Sequence, residues 1–116
     1  MCKFKRGDVL WGVVVFGDRD GVKSRPVIVL KANDKCWYLV VECNSEKEKH
    51  KNMSKQGMLI STSHSHFTEC GFNESTFIHC HNRCWIPENL LLKNPENHKK
   101  PAGYCSFIDE VENYRK

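Results

Sequence analysis

The sequence predicts a small, mainly β fold, an SH3-like antiparallel barrel with a C-terminal helix. Three observations predict it. Residues 7–43 hold three runs rich in β-branched and aromatic side chains, joined by turns too short for a crossover helix. Residues 74–86 alternate between two faces at the strand period. Residues 104–114 set Tyr104, Phe107, Ile108 and Val111 at i, i+3, i+4 and i+7, the stripe of an amphipathic helix.

The elements follow in order. Residues 7–16 (GDVLWGVVVF) read as the first strand. Residues 17–21 carry a glycine at each end and form a polar loop. Residues 27–30 (VIVL) are apolar on both faces, which marks a central strand. Pro26 is expected at its first position, where a missing N–H costs least. Residues 32–35 (ANDK) make a tight turn, and residues 36–43 (CWYLVVEC) form a third strand. Residues 45–56 alternate in charge and read as a solvated loop or short helix. Residues 58–62 (MLIST) are a short strand, and residues 63–73 are irregular. In residues 74–86, Thr76, Ile78 and Cys80 share one face, and Phe77, His79 and His81 share the other. Pro87, Glu88 and Asn89 break that pattern before the apolar residues 90–92.

Composition narrows the function. A chain of 116 residues suits one domain spanning 1–116, and 40% hydrophobic with 28% charged residues excludes a disordered chain. No apolar run reaches membrane-spanning length, and the start MCKFKRGD has no apolar core for a signal peptide, so a cytoplasmic setting is expected. The formal charge of +4 permits an anionic partner without demanding one. Seven cysteines are an odd number, and they contain no C-x2-C pair; Cys80 and Cys84 come nearest. In a reducing compartment they read as small buried hydrophobes rather than disulfides.

His79-Cys80-His81 is the sharpest local feature. On a strand, positions i and i+2 share a face, so the two imidazoles are expected side by side. Such a pair can divide acid and base roles near neutral pH. The reaction that suits it is attack of a ribose 2′-hydroxyl on the adjacent phosphate. That step also needs cationic donors, and Arg19, Arg25 and Arg83 are candidates. Arg25, at the edge of a buried strand, is held better than an arginine on a loop tip. A surface histidine pair is the simpler reading. A zinc site drawn from His64, His66, Cys70, His79, Cys80, His81 and Cys84 is another. The lysines and arginines at positions 3–6, 47–55 and 93–100 read most simply as solvated charges. Trp11, Trp37 and Trp85 are expected in the core; any one left exposed at a cleft can stack a base.

Residues 6–11 (RGDVLW), the glycine-bounded loop and residues 24–30 (SRPVIVL) together resemble the opening of MazF/PemK-type toxins. In that family the third strand usually ends in a Thr-Ser pair; here Asn44-Ser45 stands there, with Ser45 matching and Asn44 departing. Residues 77–86 resemble a later strand of the family, and His79 and His81 fall where the PemK-like branch carries an arginine and an acidic residue. Residues 104–115 resemble its last helix. Residues 45–71 match nothing in the family.

The resemblance implies the toxin of a type II toxin–antitoxin system, usually a homodimer on an SH3-like barrel. Its activity would be a sequence-specific endoribonuclease, independent of metal and cofactor. It would cleave single-stranded mRNA to a 2′,3′-cyclic phosphate and a 5′-hydroxyl, and an antitoxin protein would occupy its RNA groove. On this reading Arg25, His79, His81 and Ser45 are catalytic, and Arg19, Arg83 and Asn44 bind RNA. The alternatives are a non-catalytic barrel that binds nucleic acid or protein, and a zinc-binding protein.

Overall fold

The computed structural model describes residues 2–14, 23–45, 57–92 and 103–114, with backbone alone for Val13, Val14, Lys23, Ser24, Ser45 and Leu92. The loops expected at 17–21 and 45–56 therefore lie almost wholly outside the described residues, as does Arg19. Among the described residues seven strands form one curled antiparallel sheet: β1 (Asp8–Val14), β2 (Lys23–Ala32), β3 (Trp37–Ser45), β4 (Met58–Ile60), β5 (Thr76–Pro87), β6 (Leu91–Leu92) and β7 (Gly103–Tyr104). Two short helices, α1 (Phe67–Cys70) and α2 (Ile108–Glu112), complete the described fold. Strand order is β4-β5-β3-β2-β1-β6, with β7 pairing β1. The mainly β class and antiparallel meander expected from residues 7–43 are borne out.

Strand alternation distributes the apolar residues over both faces of the sheet. On one face Val9, Ile28, Leu30, Val41, Cys43, Ile60, Ile78 and Cys80 form a core. It is completed by Cys70, Phe72, Cys105, Phe107, Ile108 and Val111, from α1, α2 and the turns beside them. On the other face Leu10, Val27, Val29, Tyr38, Val40, Ile86 and Leu91 pack with Phe4. This explains why residues 27–30 are apolar without alternation: consecutive side chains enter different cores. Pro26 lies inside β2 rather than at its first position, opposite Trp11. The described pairing of β2 with β3 begins only at Val27, so the proline precedes that ladder.

Two irregularities bend the sheet. β2 slips against β3 between Val29 and Lys31. β5 slips against β3 more strongly: Glu42 pairs with His79, but the next residue inward, Val41, pairs with Arg83. Cys80, His81 and Asn82 form the intervening bulge.

The turn between β2 and β3 is built as expected. The Asn33 side-chain oxygen accepts from the backbone N–H of Lys35 (2.9 Å) and Trp37 (3.0 Å). Cys36 takes a positive φ of 59° there. Cys36 is also bonded to Cys2 in a disulfide, against the expectation that all the thiols stand alone. That bond ties the N-terminus to the turn, a closure invisible in cysteine spacing. Nearby, the Tyr38 hydroxyl donates to Glu88 (2.5 Å) and accepts from the Phe4 N–H (3.2 Å). Burial, then the Glu88 carboxylate, pushes this phenol up to about 12.

The C-terminal helix is shorter than its stripe predicts. Phe107, Ile108 and Val111 are buried, but Tyr104 is exposed and belongs to β7, opposite Asp8. Gly7 explains the change. Its φ is +95°, its N–H donates to Val29 (2.8 Å), and its carbonyl accepts from Cys105 (2.7 Å). Residues 103–105 are thus drawn into the sheet edge before a helix can start. Arg6 then holds α2 through Asp109 and Glu112, each at 2.6 Å.

Two outcomes are expected. A Cβ at Gly103 would stand 2.3 Å from the Cys70 backbone, so Gly103→Ala should cost about 1–3 kcal/mol, read by urea unfolding. The Glu69 carboxylate accepts from the Ser106 hydroxyl (3.0 Å) and N–H (2.6 Å), which holds it below the usual 4.5. Its contribution to stability is present above that value and vanishes as pH falls through the folded-state value. Glu69→Gln should therefore lower the unfolding midpoint at pH 7, and the gap from wild type should close on acidification.

Candidate active site

The bulged end of the β2–β3–β5 ladder gathers the polar residues that matter. Arg25 stands on β2, Glu42 and Asn44 on β3, and His79 on β5. Alternation explains their meeting: Val27 pairs with Glu42, and Glu42 pairs with His79, so these positions share the face of the Leu10–Tyr38 core. The cluster is that core's polar continuation.

Its charges are buried. Arg25 is 8% exposed, Glu42 6% and His79 3%. The Arg25 guanidinium lies 3.6 Å from the Glu42 carboxylate and donates a very short hydrogen bond to the Asn44 side-chain oxygen. Asn82, from the bulge, donates to the other side of Glu42 at 3.3 Å. The His79 ring meets Phe77 edge to face, with centroids 4.8 Å apart. A carboxylate and a guanidinium meet here in a water-poor setting, where their interaction is stronger than in water, and a buried imidazole stands at the cross-strand position beside the carboxylate.

Not every expected residue reaches this cluster. His81 does not stand beside His79. The i, i+2 rule needs an unbroken pleat, and the bulge ends the pleat at His79. His81 is exposed, with its ring 5.9 Å from that of Tyr114. It lines an open cleft of about 360 Å³ with Arg83, Glu112, Asn113 and Tyr114. Arg83 is a brace: it donates to the carbonyls of Cys80 and Glu112, each at 2.8 Å, closing the bulge and fastening the end of α2. Ser45 ends β3 opposite Thr76. Its neighbour Asn44 touches Arg25.

Glu42 and Asn82 were not anticipated. A signal for Glu42 exists: it is the one acidic residue inside an otherwise apolar strand, and a carboxylate in that position must be partnered. Asn82 carries no such signal, because only the bulge turns it toward Glu42.

The thiols behave as hydrophobes. Burial pushes Cys80 up to about 11 and raises Cys43 and Cys84. A hydrogen bond with Cys70, then burial, raises Cys105. At neutral pH these groups stay protonated and are poor nucleophiles. Among the described residues no group of three or more His, Cys, Asp or Glu side chains is arranged to hold a metal ion. Of the histidines of the zinc reading, His66 instead contacts Glu69 at 3.0 Å, and the His64 ring accepts from the His66 N–H. No helix among the described residues is long and apolar enough to cross a membrane. No protein-family model matches the chain, and no curated protein matches it significantly.

Removing one member of the buried charge pair should be costly. Glu42→Leu, which leaves the Arg25 guanidinium buried without that carboxylate, should destabilise by about 3–5 kcal/mol in urea unfolding. The double change Arg25→Met/Glu42→Leu should recover most of the loss, because it removes both charges together.

Proposed function

We propose that the protein is an endoribonuclease acting on single-stranded RNA without a metal ion, the toxin of a type II toxin–antitoxin pair. The observation that carries this reading is the convergence of Arg25, Glu42, Asn44 and His79 on one sheet face. Two further features support it: the resemblance of residues 6–30 to the MazF/PemK-type opening, and a net charge of +4 suited to an anionic substrate.

The chemistry follows from the residue types. Arg25 clamps the scissile phosphate, with Asn44 holding the guanidinium in place. An incoming phosphate competes with Glu42 for Arg25, which releases the carboxylate to accept a proton. Glu42 takes the proton of the 2′-hydroxyl, and the 2′-oxygen bonds to phosphorus. The bond from phosphorus to the 5′-oxygen breaks, and His79 donates a proton to that oxygen. The products are a 2′,3′-cyclic phosphate and a 5′-hydroxyl. Arg25 stabilises the extra negative charge in the transition state. His81 has no part in this scheme. A second copy of the chain and an antitoxin protein remain its expected partners, and the cytoplasm its expected setting.

A second reading has one observation in its favour. Arg25, Glu42 and His79 are all less than a tenth exposed, as in a polar core that only supports a binding surface.

The test is incubation of purified protein with mixed-sequence single-stranded RNA in EDTA, with end-group analysis. Cyclic-phosphate ends are expected. Arg25→Ala and His79→Ala should each lose at least ~100-fold in rate, the scale of an electrostatic or acid–base group. His81→Ala should cleave at nearly the wild-type rate. Circular dichroism on each variant checks that the fold survives. RNA binding with no cleavage by the wild type would establish the second reading instead.

A further inference from the structure

Trp37 and Trp85 are not in the core, as their size predicts, but 43% and 42% exposed. An indole left in water on a sheet face loses burial energy, which makes the pair worth explaining. Their positions are set by register. Leu39 pairs with Trp85 and Trp37 pairs with Pro87, so both tryptophans lie on the same face as diagonal neighbours across β3 and β5. That face is opposite to the one bearing Arg25 and Glu42. Tyr38 and Ile86, which alternate with the tryptophans along the same two strands, enter the core on the Arg25 side.

A cation sits over one of them. Lys31 pairs with Leu39, in the same cross-strand row as Trp85, and its ammonium lies 5.8 Å from the Trp85 ring centroid. The slip between Val29 and Lys31 brings this lysine to the tryptophan face. Lys35, in the adjoining turn, is exposed as well. Two exposed indoles, one with an ammonium over its face, match a ligand made of flat bases on an anionic backbone, whose phosphate can draw the lysine off the ring and free that face for stacking.

We propose that Trp37, Trp85 and Lys31 form a stacking surface for single-stranded RNA, separate from the Arg25 cluster. Unpaired bases stack on the two indoles, and Lys31 neutralises a phosphate between them. Base pairs are excluded, because a duplex hides the base faces that the indoles need. The choice of RNA over DNA rests on the endoribonuclease reading; the stacking itself does not. A protein that cuts a long transcript gains from this arrangement, since a strand held on the outer face raises the local concentration of its other segments at the cleavage site.

The experiment reads binding with a strand that cannot be cut. A fluorescein-labelled, fully 2′-O-methylated 12-nucleotide RNA is titrated with the full chain, and anisotropy gives the affinity. Wild type should bind the single strand well above its own duplex. Trp85→Ala and Trp37→Ala should each weaken binding by roughly 5- to 100-fold, the span of one lost base–aromatic stack. Trp85→Phe should restore much of it. Lys31→Gln should reduce the slope of log affinity against log salt by about 0.7, one single-strand phosphate contact. Both alanine variants are checked by thermal unfolding to separate misfolding from lost stacking.

Three results would overturn the proposal: no binding of the single strand by wild type, equal binding of duplex and single strand, or unchanged affinity in both folded alanine variants. Sedimentation at several concentrations tests the other occupant. A dimer that Trp85→Ala abolishes would assign this face to a second copy of the chain. Because the probe cannot be cleaved, a failed cleavage assay leaves the binding result standing, and the reverse also holds.

Discussion

The break in the β3–β5 ladder governs which side chains of this protein can meet. Up to His79 the two strands keep a regular pleat, and His79 lies across from Glu42. Pairing resumes only at Arg83, opposite Val41. One residue on β3 thus faces four on β5, and everything beyond the break changes place relative to an unbroken strand. His79 stays inside, and His81 is turned out to the cleft beside Tyr114. Asn82 is directed at Glu42, and Arg83 closes the bulge through the Cys80 carbonyl while reaching Glu112. The bulge leaves backbone polar groups outside the ladder, and Arg83 answers one of them.

Burial makes this local geometry consequential. Charges within a tenth of full burial persist only when attraction and hydrogen bonding offset desolvation. Arg25, Glu42, Asn44 and Asn82 meet that condition among themselves, so each restricts the others' positions. A cluster so arranged is pre-organised before any ligand arrives. The same apolar packing that forces the charges together, from Leu10, Val27, Val40 and Ile86, also fixes the strands that carry them.

The sheet serves its two faces unequally. On one, the core grades into the buried charge cluster. On the other, α1, α2 and the turns cover the apolar residues as far as Val41 and Leu39, and beyond them Trp37 and Trp85 stand in solvent with Lys31. The start of α2 is set by β7, which Gly7 recruits to the sheet edge through a conformation that a larger residue would resist.

Much of this was legible in the residues alone. The apolar runs determined where the strands lie, and the absence of alternation in residues 27–30 determined that β2 is covered on both faces. Asn33 and its neighbours determined the turn, and the Arg25-Pro26 junction singled out the arginine that lies at the heart of the cluster. These are local properties, set by side chains within a few positions of one another. Only the tertiary structure decided which histidine is buried, that Glu42 faces Arg25, that Cys2 closes on Cys36, and that two tryptophans stay outside. Each of those depends on how one strand registers against another. A slip in pairing is produced by contacts between residues distant in the chain, and it reverses the face of every side chain beyond it.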